Sequence, residues 1–351
     1  MNLDATEKSD GQKIRPELSG RLKILAVVGT IFGIGLFAVF VYSAGVGQIA
    51  ESVSRFGLFG FAVILGIFFL RICLRASAWA LSVYEPYSLR LRDTVPAVII
   101  GEVMSTVIPI GIVVSGTAKA VAVRRHVPLV VGLSSVATEN LFYSMTTSML
   151  LILGALTFVR TFDIDPGVAI GIDILIGSMI AMLIFLILMV IRQWHFASEL
   201  CEWLYRKGIL KGILESGRLQ VRLFENLVYG FYRHHPKRFI PIILIECSFH
   251  LLGILEVWFV LSRITESGAT FLNAFLLESV NRLISIVFKL IPFLLGVDEA
   301  GAQMVAETLA IGAGVGVTLA IIRKGRMLFW AMIGFMLILK RGLKFSRLLG
   351  Q

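Results

Sequence analysis

Residues 167–191 read GVAIGIDILIGSMIAMLIFLILMVI, an unbroken apolar run whose one charge is Asp173. At about 1.5 Å per residue, a helix of this length exceeds the roughly 30 Å hydrocarbon core of a bilayer. A barrel strand needs only about 9–11 residues, and strand-type alternation is absent. Comparable stretches run over Ile24–Ala44, Gly57–Val83, Val95–Ala118, Val127–Val159, Phe239–Leu261, Gly268–Leu295, Ala300–Ile322 and Met327–Leu339. The expected fold is an all-α polytopic membrane protein of about 7–8 transmembrane helices, because backbone in lipid must satisfy its own hydrogen bonds.

Composition agrees. Of 351 residues, 57% are apolar and 16% charged, against roughly 45–50% and about 25% in soluble domains. Mean hydropathy is +0.87. These values exclude an ordinary soluble enzyme and a disordered chain. The net charge of +10 reads as basic cytoplasmic loops facing anionic lipid, with no nucleic-acid partner. Cys73, Cys201 and Cys247 are isolated and imply no disulfide framework.

Four regions follow. Residues 1–23 form a polar tail, placed in the cytoplasm. Residues 24–191 make a first membrane half that opens on an uncleaved span. Residues 192–238 make a basic cytoplasmic loop with nine basic and four acidic residues, and 239–351 a second membrane half. Within the loop, Leu219, Leu223, Leu227 and Phe231 recur every fourth residue. That fits an amphipathic helix, either on the inner membrane surface or packed on its neighbour.

Basic loops flank Val95–Ala118 on both sides, and Pro96, Gly101, Pro109, Gly111 and Gly116 interrupt it. A re-entrant segment that enters and leaves on one face satisfies both facts. Ile291–Gly316 carries Pro292, Gly296, Gly301, Gly312 and Gly314 with Asp298, Glu299 and Glu307. It reads as a second re-entrant segment. One interrupted, acid-bearing segment per half points to an internal repeat and a transporter-like site between the halves. Parity at the carboxyl end stays open. Arg323, Lys324 and Arg326 stand only about 13 residues before Lys340 and Arg341, and both clusters favour the inside.

An Arg, Lys or Asp at a helix centre costs roughly 2.5–3.5 kcal/mol to insert. The apolar stretches nonetheless hold Arg71, Arg75, Glu102, Glu139, Asp173, Glu246, Glu256, Glu278, Arg282, Lys289, Asp298, Glu299 and Glu307. Glu278 and Arg282, four apart with the acid first, can neutralise each other. Arg71 and Arg75 are four apart with like charge, so they need acidic partners or an anionic ligand such as a lipid phosphate. Glu246 and His250 share a helix face and could form a proton relay or half of a metal site, but the expected arrangement is a hydrogen-bonded pair. No third ligand stands at metal-site spacing, so neither metal nor cofactor is expected. GxSxG, the P-loop and GxGxxG followed by an acid are all absent, and the chain reads as a non-enzyme.

The run Pro292-Phe-Leu-Leu-Gly296-Val297-Asp298-Glu299-Ala300-Gly301 is followed by Ala320-Ile-Ile-Arg323 and a last apolar segment with Gly334. This resembles the signature of the lysylphosphatidylglycerol synthetase transmembrane family, the flippase-like domain proteins. Its Pro-Gly-Gly-Leu-Gly-Val-x-Glu turn precedes an Ala-rich helix carrying an Arg. Ile108-Pro109-Ile110-Gly111, Gly116-Thr117-Ala118-Lys119 and Glu139-Asn140 resemble its first-half motifs. Phe293-Leu294, Thr117 and Asn140 depart from the pattern. No soluble stretch is long enough for aminoacyl transfer. The resemblance implies a bacterial inner-membrane lipid translocator acting on an anionic phospholipid, a glycolipid or a hopanoid-type lipid. Expected headgroup contacts are Arg71, Arg75, Arg282 and Arg323. Glu102, Glu139 and Glu299 are expected as counter-charges or proton carriers, with re-entrant turns at Pro109, Gly111, Pro292 and Gly296. The alternatives are a non-transporting partner of a lipid-synthesis or envelope complex and, last, an intramembrane headgroup enzyme. Gly29/Gly33 and Gly167/Gly171 permit close helix contact, within the chain or in a homo-oligomer.

Overall fold

The computed structural model describes residues 46–107, 111–162, 166–207, 211–265, 269–288 and 294–340, with Tyr42 and Ile291. The first predicted span (Tyr42 apart), Lys289, Pro109 and Pro292 lie outside them. Among the described residues every regular element is helical. The α-helices are α1 (Val46–Leu81), α2 (Leu91–Val107), α3 (Gly111–Ala122), α4 (Leu129–Thr161), α5 (Pro166–Arg192), α6 (Phe196–Arg206), α7 (Lys211–His234), α8 (Phe239–Ile264), α9 (Phe271–Val287), α10 (Val297–Thr308) and α11 (Ala313–Lys340). Four are long and apolar enough to cross a membrane, over Ala50–Leu81, Leu129–Thr161, Ala169–Met189 and Pro236–Ile264. α1 breaks at Gly57, whose φ of 66° and ψ of 176° suit glycine alone.

The first interrupted segment falls on a short helix pair, and the second, Ile291–Gly316, holds α10 and the start of α11, with α9 preceding it to complete a second short pair. α2 and α3 have 17 and 12 residues, and α9 and α10 again have 17 and 12. Each pair sits between two long helices, so α1–α4 and α8–α11 repeat one order of elements. Packing repeats as well. α1 lies on α8; α2 packs on α11 as α4 does on α9; α1 meets α11 as α4 meets α8. Registers coincide. Glu102 stands eleven residues into α2 and Arg282 eleven into α9. Glu139 stands ten into α4 and Arg323 ten into α11. Gly132 and Gly316, each three residues into its long helix, both face the preceding short helix. A Cβ at Gly132 would meet Ala120 at 3.3 Å, and one at Gly316 would meet the Ala302 carbonyl at 2.2 Å.

The carboxyl-terminal reading is corrected here. Residues 323–326 are no loop: the chain breaks at 309–312, where Gly312 has φ 96°, and α11 then runs unbroken. The basic cluster is carried inside the bundle because acids of α8, α9 and α10 neutralise it. Lys119, grouped above with a basic loop, likewise lies buried in α3.

Leu276, Leu277, Val257, Leu261 and Leu319 anchor one core cluster, and Trp79, Ala97, Val98 and Val136 another. α5 stands outside this frame. It packs on α4 and exposes Ile170, Ile174, Met182, Ile184 and Leu188, a surface suited to lipid. α7 packs on α4 and α6, and buries Phe231 with Ala78, Phe142 and Ile242. Phe231 and Val228 of the amphipathic helix are thus covered by protein, while Leu223 stays exposed.

Candidate functional site

Between the two halves lies a cavity of about 660 Å³, within the usual size range of ligand sites. Arg71, Arg75, Lys119, Arg282, Arg323 and Arg326 line it, against three carboxylates, Glu102, Glu278 and Asp298. Glu139, Glu246, Glu256 and Glu299 are buried behind this lining. Cations therefore front the cavity and most of the acids stand at their backs. Asn140, Asn281, Ser144, Thr147 and Ser148 add hydrogen-bonding groups, while Leu175, Met179, Leu283 and Ile286 form an apolar wall.

Glu278 is the hub of the second half. It accepts from Arg282 Nη2 at 2.7 Å and from Arg323 Nη2 at 2.6 Å, and Arg71 Nη2 stands 3.6 Å away. The expected Glu278–Arg282 pair exists, but it is one edge of a larger network. Arg71 also donates to Glu256 Oε2 at 3.2 Å, and Glu256 in turn pairs with Arg326. Gly253 of α8 makes this approach feasible, since a Cβ there would lie 2.7 Å from Glu278 Oε1. The Arg71 guanidinium covers the Phe249 ring at 4.4 Å, a cation–π contact that offsets part of its desolvation.

The first half has its own hub in Glu139. Its Oε1 accepts from Arg75 Nε at 2.9 Å and Nη2 at 2.6 Å. Lys119 Nζ stands 3.7 Å from Oε2, and Glu102 lies 3.8 Å from Arg75. Arg75 stacks over Tyr143 at 4.1 Å. The ion pairs of Glu139 with Arg75 and Lys119, and of Arg75 with Glu102, lie within α1–α4, while those of Arg71 join the halves.

All four expected headgroup arginines thus meet at one cavity, with Glu102 at its edge and Glu139 behind Arg75. Glu299 stands apart, 2.8 Å from Lys324 and outside the lining. Gly111 opens α3 and Gly296, with φ 77°, caps the start of α10. Asp173 and Glu307 are exposed, and Glu307 bonds Gln303. Glu246 and His250 form no pair. His250 Nε2 meets Thr147 Oγ1 at 3.2 Å, and neither Glu246 oxygen has a hydrogen-bond partner. Sequence reasoning missed Lys119 and Arg326 at the cavity and Lys324 behind it. The available signal was that Lys119 and Arg326 border apolar stretches and lie about one or two helical turns from motif residues.

Buried ion pairs contribute little net stability, and apolar residues of similar volume often serve as well. A network of this extent in a membrane protein marks a working site. Searches against curated proteins and against solved structures returned no match. The family model described as "Lysylphosphatidylglycerol synthase TM region" matches residues 25–334, nearly the whole described bundle. The chain is therefore a membrane protein that belongs to the lysylphosphatidylglycerol synthase transmembrane-region family.

Proposed function

We propose that this protein is a lipid translocator, without enzymatic activity of its own, that moves an anionic or polar headgroup through the cavity between its halves. The observation that carries this reading is the polarity of the lining, six cations before three carboxylates. Guanidinium forks match phosphate oxygens bidentately, and the apolar wall beside them suits the acyl chains. The proposed substrates are an anionic phospholipid, a glycolipid or a hopanoid-type lipid.

The two short helix pairs support the re-entrant reading. At about 1.5 Å per residue, α3 and α10 reach roughly 18 Å, short of a roughly 30 Å core. With them inserted from one face each, the long helices α1, α4, α5, α8 and α11 and the predicted span over 24–44 make six full spans, fewer than the 7–8 expected, built around two repeats. The basic 192–238 segment supports a cytoplasmic amino terminus, and the family membership supports a bacterial inner-membrane location.

A scrambling assay in liposomes with fluorescent phosphatidylglycerol and phosphatidylcholine tests the reading. Arg282→Ala should weaken headgroup binding by about 1.5–3 kcal/mol, roughly ten- to hundredfold, and slow transport with unchanged helical content. Normal transport by Arg282→Ala and Arg323→Ala would move the path elsewhere. No transport by folded wild type would favour the partner-protein reading.

A further inference from the structure

Among the described residues, Glu246 is a carboxylate fully buried on α8 with neither a hydrogen bond nor an ion pair. An ionised carboxylate in that position would be strongly disfavoured. The charged groups within electrostatic reach are Glu139 of α4, Arg75 of α1 and Lys119 of α3. Both cations are already engaged, Arg75 by Glu139 and Glu102, and Lys119 by Glu139. Glu102 is also within electrostatic reach of Arg326, whereas Glu246 has no cation inside 4.0 Å among the described residues. Further along α8, His250 faces Arg71, Arg282 and Glu278 and stacks on Tyr143, while Glu256 is held by Arg71 and Arg326.

We propose that Glu246 is a proton-binding site that couples proton uptake to headgroup binding. This rests on the translocator reading above. With a proton on Glu246, Arg75 keeps its place at the cavity edge and presents its charge to the anion. Loss of that proton leaves a buried carboxylate that draws Arg75 and Lys119 away from the cavity. Proton and anion therefore favour each other's binding, and linkage makes the effect reciprocal. A monoanionic headgroup then crosses with one proton, and the pair carries no net charge.

The full-length protein, purified and reconstituted, is tested beside Glu246→Gln and Glu246→Asp with fluorescent phosphatidylglycerol. In wild type, each unit of pH gradient should shift the steady-state leaflet ratio of the probe by about tenfold, with no response to an imposed membrane potential. Glu246→Gln should lose the pH response and gain a potential response, and Glu246→Asp should keep the wild-type behaviour. A second readout needs no transport: binding of short-chain phosphatidylglycerol in weakly buffered detergent should take up about one proton per ligand in wild type and none in Glu246→Gln. Ligand-linked proton uptake without any lipid movement would keep the proton site and overturn the translocator reading. Proton uptake retained in Glu246→Gln, or a response to a sodium gradient in place of a pH gradient, would overturn the assignment of Glu246.

Discussion

At corresponding points of one helical plan, the first half places Glu102 and Glu139 where the second places Arg282 and Arg323. Identical charges in both halves would set like charges against each other across a low-dielectric cavity, a repulsion far stronger than in water. Reversal removes that conflict. It also divides the cavity between two hubs, with Arg75 and Lys119 gathered about Glu139 on one side and Arg71, Arg282 and Arg323 about Glu278 on the other. The repeated scaffold sets positions, and the side chains at those positions set the direction of the field.

The comparison can be broken most severely at the hubs. Glu278→Ala leaves Arg71, Arg282 and Arg323 facing one another, so a loss of about 3–5 kcal/mol is expected, read as a lower melting temperature in detergent. Glu139→Ala should cost less, because Arg75 retains Glu102 at 3.8 Å; an equal or larger loss would show that the first half depends as heavily on its hub. The matched glycines sharpen the comparison further. Gly316→Ala drives a Cβ against a backbone carbonyl at 2.2 Å, and overpacking of this kind costs about 1–3 kcal/mol. Gly132→Ala meets its neighbour at 3.3 Å and should fall below about 1 kcal/mol; melting curves of the two variants should separate clearly. The smallest effect is expected at Glu307→Ala, an exposed position whose change should stay within about 0.5 kcal/mol and leave lipid movement intact.

The membrane class was legible from apolar length, and the helix starts at Gly111 and after Gly296 from those glycines, while Pro109 and Pro292 lie outside the described residues. Arg71 and Arg75 were legible as residues in need of company, because like charges four apart on a helix repel. The partners of Arg71 were not, since Glu256 and Glu278 lie far along the chain and local spacing carries no trace of them. The same blindness made Lys324 and Arg326 look like loop residues. A rule that reads basic clusters as loops weighs charge density along the chain, whereas their acids come from other helices. Glu246 and His250 failed for the opposite reason: their spacing allowed a pair, but His250 turns to Thr147 of α4.

Arg71 also has a history in time. It sits on α1, while the carboxylate it bonds, Glu256, arrives 185 residues later. At roughly 5–20 residues per second of synthesis, that guanidinium waits about 10–40 s for its counter-charge. Over that interval it adds roughly 2.5–3.5 kcal/mol to the cost of holding α1 in lipid. The apolar flanks of α1 must outweigh this before any partner exists. A side chain that finally helps tie the two halves together is thus, during biogenesis, a burden on the helix that carries it.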